Sequence, residues 1–437
     1  MEKGISMAQN DAPIRVALLG AGTVGSQTAR LLVEQADELE ARIGRRMELV
    51  GIATLDPVDA PWIDQSIVTN DASELVTRAD IVIELIGGIE PARTFILKAI
   101  ENGASVVTAN KALLAKDGPE IYEAARKKGV DIYFEAAVGG AIPIVRPLRE
   151  SMVGDRINRI MGIVNGTTNY ILDEMTTKGL DFDEVLKAAQ DAGFAEANPT
   201  ADIDGFDAAS KAAIMACLAF HRDVRISDVH TEGIRNITAA DIAAAKALHR
   251  VIKLLAVVEQ NDKDEISVGV YPVMLPETHQ LAKVGGSFNA VFVEGEASDD
   301  LMFYGRGAGG APTASAVVGD VVTEARHRVT GTVGPDIPLY SNAPILDAAD
   351  STSSYMLRMS VFDKPGVLAN AAQVFAKNGV SIKSVQQMEA EAEDGTHELW
   401  VITHAVSDRL IRSVVEELEQ SVNDIKSVLS VIRVFTE

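Results

Sequence analysis

The sequence predicts an α/β protein with an N-terminal doubly wound sheet, a central α+β domain and a small C-terminal βαββαβ module. Three observations support this prediction. Residues 14–44 have the pattern of an apolar strand, a glycine-rich turn and a helix. Apolar strands then alternate with helical segments to about residue 150, as in parallel strands joined by crossover helices. Residues 354–437 hold strand-like and helical segments in the order βαββαβ.

Domain boundaries are expected where the composition changes. The tail is polar, and the linker mixes Pro, Asn, Ser and Asp, which favour turns and loops. The predicted segments are a flexible tail at 1–12, a first domain at 13–150, a central domain at 151–336, a linker at 337–353 and the C-terminal module at 354–437.

Composition and charge exclude several classes of function. The 437 residues carry a formal net charge of -23, which disfavours nucleic acid and anionic membranes as partners because both attract Lys and Arg patches. No apolar run approaches the roughly 18 residues of a membrane span, and the N-terminus lacks the apolar core of a signal peptide. The single cysteine, Cys217, lies in an apolar helical run. Without a disulfide framework, the chain is expected to be cytoplasmic, with Cys217 in a core.

The first glycine-rich turn has the spacing of a dinucleotide-binding fingerprint. Gly20-x-Gly22-x-x-Gly25 follows a strand and opens a helix that includes Thr23 and Val24. Gly20 permits the tight turn, Gly22 lets the backbone approach a pyrophosphate, and Gly25 allows the helix to pack on the strand. The pattern predicts a Rossmann-type domain that binds a dinucleotide, and a purely structural glycine turn is the alternative.

The end of the second strand, MELVGIATLD, bears on the choice between NAD and NADP. An acidic residue there hydrogen-bonds the ribose 2′-hydroxyl of NAD, whereas a basic residue accommodates the phosphate of NADP. Asp56 is acidic but lies one or two residues beyond the expected contact point, and no Arg stands at Thr54 or Leu55. The sequence therefore leans to NAD tolerance and leaves NADP open.

Two further segments are expected near the cofactor. Thr108, Asn110 and Lys111 stand at the end of the strand SVVTAN, and ligands bind at the carboxyl ends of such strands. The residues from Lys111 onward, KALLAKDG, are interpreted as a turn, and an ordinary surface lysine is the alternative for Lys111. Residues 305–327 begin with a second glycine-rich loop that includes Gly309, and such a loop implies close backbone approach, for which the cofactor is the expected partner.

The stretch EANPTADIDGFDAASK, residues 196–211, holds the candidate chemistry. Glu196, Asp202, Asp207 and Lys211 lie among small and apolar residues and lead into the apolar run AAIMACLAF. Asp207 and Lys211 are four apart on a predicted helix, close enough for an ion pair. Ionisable groups at the edge of a core are candidate acids and bases. A capped helix with a surface ion pair is the alternative.

Over nearly its whole length the sequence resembles homoserine dehydrogenase in the long form with a C-terminal ACT domain. The most specific marks are GAGTVG, VVTANK, NGTTNYI, DIDGFDAASK and GRGAGGAPTASAVVGD, and DKPGVL followed by NGVSI resembles the ACT signature. Enzymes of this family reduce L-aspartate 4-semialdehyde to L-homoserine with NAD(P)H, reversibly. The resemblance implies a central domain for catalysis and dimerisation, and a place in threonine, methionine and isoleucine biosynthesis.

The resemblance also implies a substrate site in the central domain. Glu196 and Asp202 would bind the substrate amino group and hydroxyl, and Gly166 and Thr167 would lie near its carboxylate. These residue types suit an amino acid, because carboxylates attract its ammonium and a helix start attracts its carboxylate. Phe194 stands where some members have Tyr, so one hydroxyl contact would be missing.

By the same resemblance, Asp207 and Lys211 would orient the reacting oxygen and Lys111 would stand opposite. Hydride transfer leaves negative charge on that oxygen, so the site needs a proton donor or a cation beside it. A lysine ammonium supplies both. The sequence does not decide which lysine gives the proton.

The segment EAAVGGAIP resembles the monovalent-cation loop of the family. There Glu135 and the carbonyls of Val138, Gly140 and Ile142 would hold a sodium ion. No His or Cys set with divalent-metal spacing is present in the sequence, which argues against zinc alcohol dehydrogenase chemistry.

The C-terminal module carries no catalytic constellation and is expected to serve control or assembly. Asp363 and Gly366 open a helix whose first free N–H groups, from Val367, can receive a small carboxylate, and Asn378 ends that helix with a polar side chain. ACT domains pair through their sheets, so the resemblance implies a homodimer or homotetramer, with L-threonine as an inhibitor. An ACT fold used only for assembly is the alternative.

Two other functions fit parts of the sequence. A nucleotide- and amino-acid-sensing regulator without turnover would keep the glycines and the C-terminal module, but it would not need four charges at a helix edge. A dehydrogenase for another amino acid would keep those charges. Activity with aspartate semialdehyde, beside a small panel of other aldehydes, distinguishes the three.

Overall fold

The computed structural model describes residues 12–58, 60–391, 395–421 and 424–436, without the side chains of 389–391. The predicted flexible tail at residues 1–12 therefore lies outside the described residues except for its last one. Within the described ranges, no helix is long and apolar enough to cross a membrane.

The chain divides into two compact units that do not follow the order of the sequence. The first unit contains residues up to 154, 217–223 and 305–340. The second contains 155–216, 224–304 and 341–437. The second glycine-rich segment thus belongs to the same unit as the first.

The first unit is built on a six-stranded parallel sheet with the order β3-β2-β1-β4-β5-β6. Its strands are β1 (Ile14–Leu19), β2 (Met47–Ala53), β3 (Val68–Thr69), β4 (Ile81–Glu84), β5 (Ser105–Thr108) and β6 (Ile132–Tyr133). Its helices are α1 (Thr23–Glu34), α2 (Ala36–Ile43), α3 (Ala72–Leu75), α4 (Ala92–Glu101), α5 (Lys111–Lys128) and α11 (Gly310–Thr330). This strand order is that of the doubly wound dinucleotide-binding fold, so the Rossmann-type prediction is confirmed.

The segment KALLAKDG is the first part of a helix, so its interpretation as a turn was wrong. The Asn110 side chain caps α5 by accepting the N–H of Leu113 at 3.1 Å. The helix then continues through Gly118 and Pro119. The sequence there resembles a turn locally, but burial of apolar side chains such as Ile121 keeps the segment helical.

The second unit contains one large sheet with the order β12-β11-β7-β9-β10-β17-β13-β15-β14, to which β8 and β16 add short pairings with β10 and β13. Its strands are β7 (Ile157–Ile163), β8 (His230–Thr231), β9 (Arg250–Gln260), β10 (Ile266–Pro276), β11 (Phe288–Gly295), β12 (Asp299–Arg306), β13 (Thr352–Phe362), β14 (Ile382–Glu391), β15 (Thr396–Thr403), β16 (Val406–Ser407) and β17 (Ile425–Val434). Its helices are α6 (Gly166–Lys178), α7 (Phe182–Asp191), α8 (Thr200–Ile203), α9 (Phe206–Phe220, of which residues 217–220 belong to the first unit), α10 (Ala239–Ala247), α12 (Val367–Lys377) and α13 (Asp408–Gln420).

The C-terminal module has the predicted βαββαβ order and its own core. Strand β13 lies between β17 and β15, and β14 forms the outer edge. Helices α12 and α13 contribute the buried side chains of Phe375 and Leu418 to a core that includes Leu357 and Val401 of the sheet. The predicted α+β module is therefore confirmed.

The module is joined to the central strands by backbone pairing as well as by the linker. Strand β17 pairs in parallel with β10, with Val273 opposite Arg433 and Met274 opposite Val434. In the linker, Leu346 donates its N–H to the carbonyl of Ile266 at 2.8 Å. The module's last strand is thus part of the same sheet as β7 and β9.

Candidate active site

The three fingerprint glycines differ in what surrounds them. Gly20 has φ of +93°, and a Cβ there would lie 2.7 Å from the carbonyl oxygen of Leu85. A Cβ on Gly25 would lie 2.0 Å from the carbonyl oxygen of Gly20, so neither position accepts a side chain. A Cβ on Gly22, the N-cap of α1, would meet nothing within 4 Å. The geometry leaves open space for a phosphate group in front of the helix start at Thr23.

A buried carboxylate that sequence reasoning missed organises the neighbouring strand ends. Glu84, the last residue of β4, is fully buried and accepts two N–H groups of the turn at residues 86–88, at 2.8 and 3.0 Å. It also accepts the Thr108 hydroxyl at 2.6 Å, and Asn110 donates to the same turn at 2.6 Å. Thr108 and Asn110 therefore belong to one network at the carboxyl edge of the sheet, where dinucleotides bind. The available signal was an acidic residue ending the otherwise apolar strand IVIE.

The second glycine-rich loop lies against the fingerprint helix. A Cβ on Gly310 would come within 2.8 Å of the Thr23 carbonyl oxygen, and a Cβ on Gly140 within 2.4 Å of the Gly307 carbonyl oxygen. Gly309, with φ of +122°, is the N-cap of α11. The loop therefore packs backbone to backbone beside the start of α1 and beside the segment EAAVGGAIP.

The other predicted cofactor positions are less enclosed. Lys111 is the first residue of α5, half-buried, at the same strand edge as Thr108. Asp56 is exposed and lies three residues beyond Ala53, where β2 ends. No basic residue occupies positions 54–58.

The Glu135 carboxylate of the proposed cation loop is already engaged. It is buried and accepts the backbone N–H groups of residues 144–146 at 2.6, 2.8 and 2.9 Å. Burial raises the pKa of Glu135, and these hydrogen bonds oppose that rise. In the part of the chain that the structure describes, no group of three or more His, Cys, Asp or Glu could hold a metal ion through side chains.

Asn165 brings together the predicted charged residues of the second unit. Its side-chain amide donates to Asp202 at 2.7 Å and to Asp207 at 2.9 Å. Lys211 donates from Nζ to Asp207 at 2.7 Å and to the carbonyl of Val164 at 2.6 Å. The predicted Asp207–Lys211 pair is buried, with side chains 12% and 10% exposed. Asn165 is thus a bridge between two carboxylates, a role that the sequence did not indicate.

Local structure explains how Asn165 reaches this position. Strand β7 ends at Ile163, and α6 begins at Gly166, so Asn165 is the N-cap of the helix. Its Oδ1 accepts the Thr168 N–H at 2.9 Å. The cap fixes the side chain by its oxygen and leaves the amide N–H groups for Asp202 and Asp207.

The other predicted substrate residues border this cluster. A Cβ on Gly166 would lie 2.9 Å from the Ser287 carbonyl oxygen, so a loop of the sheet closes against the first turn of α6. The Thr167 hydroxyl donates to the carbonyl of Phe194 at 3.0 Å, and the Phe194 ring stacks on Tyr170 at 4.7 Å between centroids. Glu196 is exposed on the loop that follows α7, outside the cluster around Asn165.

A doubly wound dinucleotide unit and a buried lysine–carboxylate cluster define a nicotinamide-dependent oxidoreductase. The sequence matches the homoserine dehydrogenase family over residues 143–322, the family's NAD-binding domain over 20–135 and the ACT domain over 355–423. The homoserine dehydrogenase of Corynebacterium glutamicum is 50% identical over 429 residues, 96% of this chain and 95% of its own.

Solved structures agree with the sequence matches. A homoserine dehydrogenase from Thiobacillus denitrificans is 38% identical, with a TM-score of 0.91 over 97% of this chain and 98% of its own. A hyperthermophilic archaeal homoserine dehydrogenase in complex with NADPH is 27% identical, with a TM-score of 0.62 over 72% of this chain and 98% of its own. The chain belongs to the homoserine dehydrogenase family, which confirms the predicted activity, NAD(P)-dependent interconversion of L-aspartate 4-semialdehyde and L-homoserine.

Proposed function

We propose that Lys211 is the cation beside the reacting oxygen and that Asp207 orients it. An ammonium has three N–H groups, and Asp207 and Val164 take two of them. The third can donate to the aldehyde oxygen, on which negative charge develops as the bound dinucleotide supplies hydride. The observation that carries this proposal is the buried ion pair at 2.7 Å. Lys111 is the second candidate for the proton transfer.

The amino-acid end of the substrate is proposed to lie between Asp202 and the first turn of α6. Asp202, held by Asn165, offers a carboxylate for the substrate's ammonium or hydroxyl. The N–H groups of Gly166 and Thr167 lie at a helix start, which favours the substrate's carboxylate. By resemblance to the family, Glu196 is also proposed to bind the substrate's ammonium, from the exposed loop that follows α7.

For the cofactor, we propose that Gly20, Gly22, Thr23, Val24 and Gly25 hold the pyrophosphate. The N–H groups at the start of α1 and the open space before Gly22 suit this role. The further contacts proposed come from Thr108, Asn110, Lys111 and Gly309. The exposed Asp56 and the lack of a basic residue at 54–58 favour the use of NAD. The archaeal relative's complex with NADPH favours the use of NADP. We therefore expect the enzyme to accept both NAD and NADP. A sodium ion is proposed to bind the carbonyls of the loop at 135–142.

The ACT domain is proposed to bind L-threonine as an inhibitor at the start of α12. Gly366, with φ of +95°, is the N-cap, and Val367 begins the helix beside the exposed Asp363. Asn378 donates to the carbonyl of Val374 at 2.9 Å and to Glu417 at 3.0 Å, so its oxygen is the atom that would meet a ligand. The exposed outer strand β14 suits pairing between subunits in a homodimer or homotetramer.

Replacement of Lys211 by Met tests the catalytic proposal. Turnover should fall by about 10²–10⁴ while the dissociation constant of NADPH stays unchanged, because the ammonium acts only on the reacting oxygen. Lys178→Met is the matched control, since Lys178 is an exposed helix lysine that also pairs with a carboxylate four residues away. Near-normal turnover in Lys211→Met would remove Lys211 from the mechanism, and Lys111→Met would then be the variant to assay.

A further inference from the structure

Lys253 is a buried lysine that the proposed mechanism does not use. It lies in β9, 1% exposed, and its Nζ donates to Asn169 Oδ1 at 3.0 Å and to the carbonyl of Val284 at 2.7 Å. Burial lowers the pKa of Lys253 to about 8, and the Asp173 carboxylate opposes that change. Placing an ammonium in a core is unfavourable unless its N–H groups donate hydrogen bonds that offset the loss of water. The partners of this ammonium therefore indicate what it does.

Its partners hold the loop at residues 284–288. The Asn169 amide donates to the carbonyls of residues 284, 286 and 288 at 3.1, 2.9 and 3.1 Å. Asp173, one turn later on α6, accepts the Gly286 N–H at 2.7 Å. Because Lys253 occupies Asn169 Oδ1, it fixes which side of the amide faces the loop. Gly286 has φ of +55°, a left-handed conformation that glycine adopts without strain.

The same loop forms a wall beside the first turn of α6. The Ser287 carbonyl oxygen and Asn289 Oδ1 would lie 2.9 and 3.6 Å from a Cβ on Gly166. Asn289 is 1% exposed, and its Oδ1 has no hydrogen-bond partner within the described part of the protein. An amide oxygen accepts hydrogen bonds, so a ligand group that meets Asn289 Oδ1 must be a donor, and the substrate's ammonium meets that requirement.

We infer that Lys253 is a positioning residue for the amino-acid end of the substrate. Through Asn169 it fixes the 284–288 loop against Gly166 and so sets the shape of the pocket that receives the substrate carboxylate. This inference rests on the proposed placement of that carboxylate at the start of α6. Lys253 does not touch the reacting atoms, so its loss should change substrate affinity more than turnover.

Lys253→Met, which keeps an unbranched side chain one atom shorter and removes the N–H donors, tests the inference. The KM for aspartate semialdehyde should rise at least about tenfold, with kcat within about threefold and the KM for NADPH unchanged. Val257→Ala is the control, because Val257 lies on the same face of β9 in the same core and packs without polar contacts. The control should lower Tm and leave both KM values unchanged.

A substrate without the carboxylate, 3-aminopropanal, separates positioning from general damage. The wild type should prefer aspartate semialdehyde over this aldehyde, and Lys253→Met should lose most of that preference. If the variant keeps the preference, or if Val257→Ala loses it equally, the inference about Lys253 is wrong. If the wild type itself shows no preference, the placement of the carboxylate at α6 is wrong instead.

Asp173→Asn provides a second variant in case Lys253→Met fails to fold. It keeps the shape of the side chain and weakens the bond to the Gly286 N–H, so the preference for the carboxylate should fall in the same direction. An unchanged preference in a folded Asp173→Asn protein would also overturn the inference.

Discussion

Replacement of Asn165 by Asp should disable the enzyme while leaving its fold intact. Asp caps a helix about as well as Asn, so the Thr168 N–H keeps its partner. The amide donors to Asp202 and Asp207 are lost, and a third carboxylate stands where those donors were, 2.7 and 2.9 Å from the other two. The change therefore acts on the charged cluster and spares the helix start.

The expected size of the effect follows from the two hydrogen bonds. A hydrogen bond to a charged group contributes about 1.5–3 kcal/mol, so two contribute about 3–6 kcal/mol. Expressed fully in the transition state, this corresponds to a loss of about 10²–10⁴ in kcat/KM. Three carboxylates in contact favour uptake of a proton, which removes one negative charge. The loss of kcat/KM in Asn165→Asp should therefore become smaller as the pH falls.

The assay is steady-state reduction of aspartate semialdehyde, followed by nicotinamide absorbance, together with Tm and the dissociation constant of NADPH. Asn102→Asp is the control, because Asn102 is an exposed asparagine at the C-cap of α4. If Asn165→Asp keeps kcat/KM within about threefold of the wild type at unchanged Tm, the bridge has no role in catalysis and the reasoning fails.

Three further results are expected. Gly22→Val should fold normally, since a Cβ there meets nothing within 4 Å, and should weaken cofactor binding steeply; unchanged affinity in calorimetry would contradict the pyrophosphate placement. Partial burial raises the pKa of Glu232, but hydrogen bonds and charge from His230 and Arg433 outweigh burial and lower this pKa to about 2. The carboxylate therefore stabilises the fold above about pH 4.5, and this stabilisation is lost as the pH falls toward 2. The stability of Glu232→Gln should not show this loss between pH 4.5 and pH 2. If the variant and the wild type have the same stability–pH profile, Glu232 is not the source of the loss. Gly366→Asp should abolish inhibition by L-threonine without lowering uninhibited turnover, and retained inhibition would place the effector elsewhere.

Local patterns in the sequence were sufficient to predict the parts of the fold that depend on neighbours in the chain. The fingerprint at Gly20–Gly25 is set by backbone geometry within one turn, and the Asp207–Lys211 pair follows from helical spacing. The βαββαβ order of the C-terminal module was readable for the same reason.

Contacts between distant segments were beyond the sequence. Asn165 donates hydrogen bonds to Asp202 and Asp207, which lie about forty residues further along the chain. An asparagine before a helix is a common N-cap, and that pattern does not indicate contacts with distant carboxylates. Glu84 could not be assigned from the sequence because its partner, the Thr108 hydroxyl, comes from the neighbouring strand β5. Helix α5 passes through Pro119 because buried side chains on either side outweigh the local preference of Gly-Pro for a turn.

The pairing of β17 with β10 has a practical consequence for dissecting the enzyme. A deletion made in the linker would expose the backbone of β10 around Met274 as an unprotected strand edge, a surface prone to aggregation. It would also remove Arg433 from Glu232, whose neighbour Gly233 lies against the backbone of the segment carrying Asp202. A truncated enzyme that is inactive would therefore say little about regulation. A better excision would splice residues 425–436 back onto the linker, so that the catalytic sheet keeps its border strand while the rest of the module is gone.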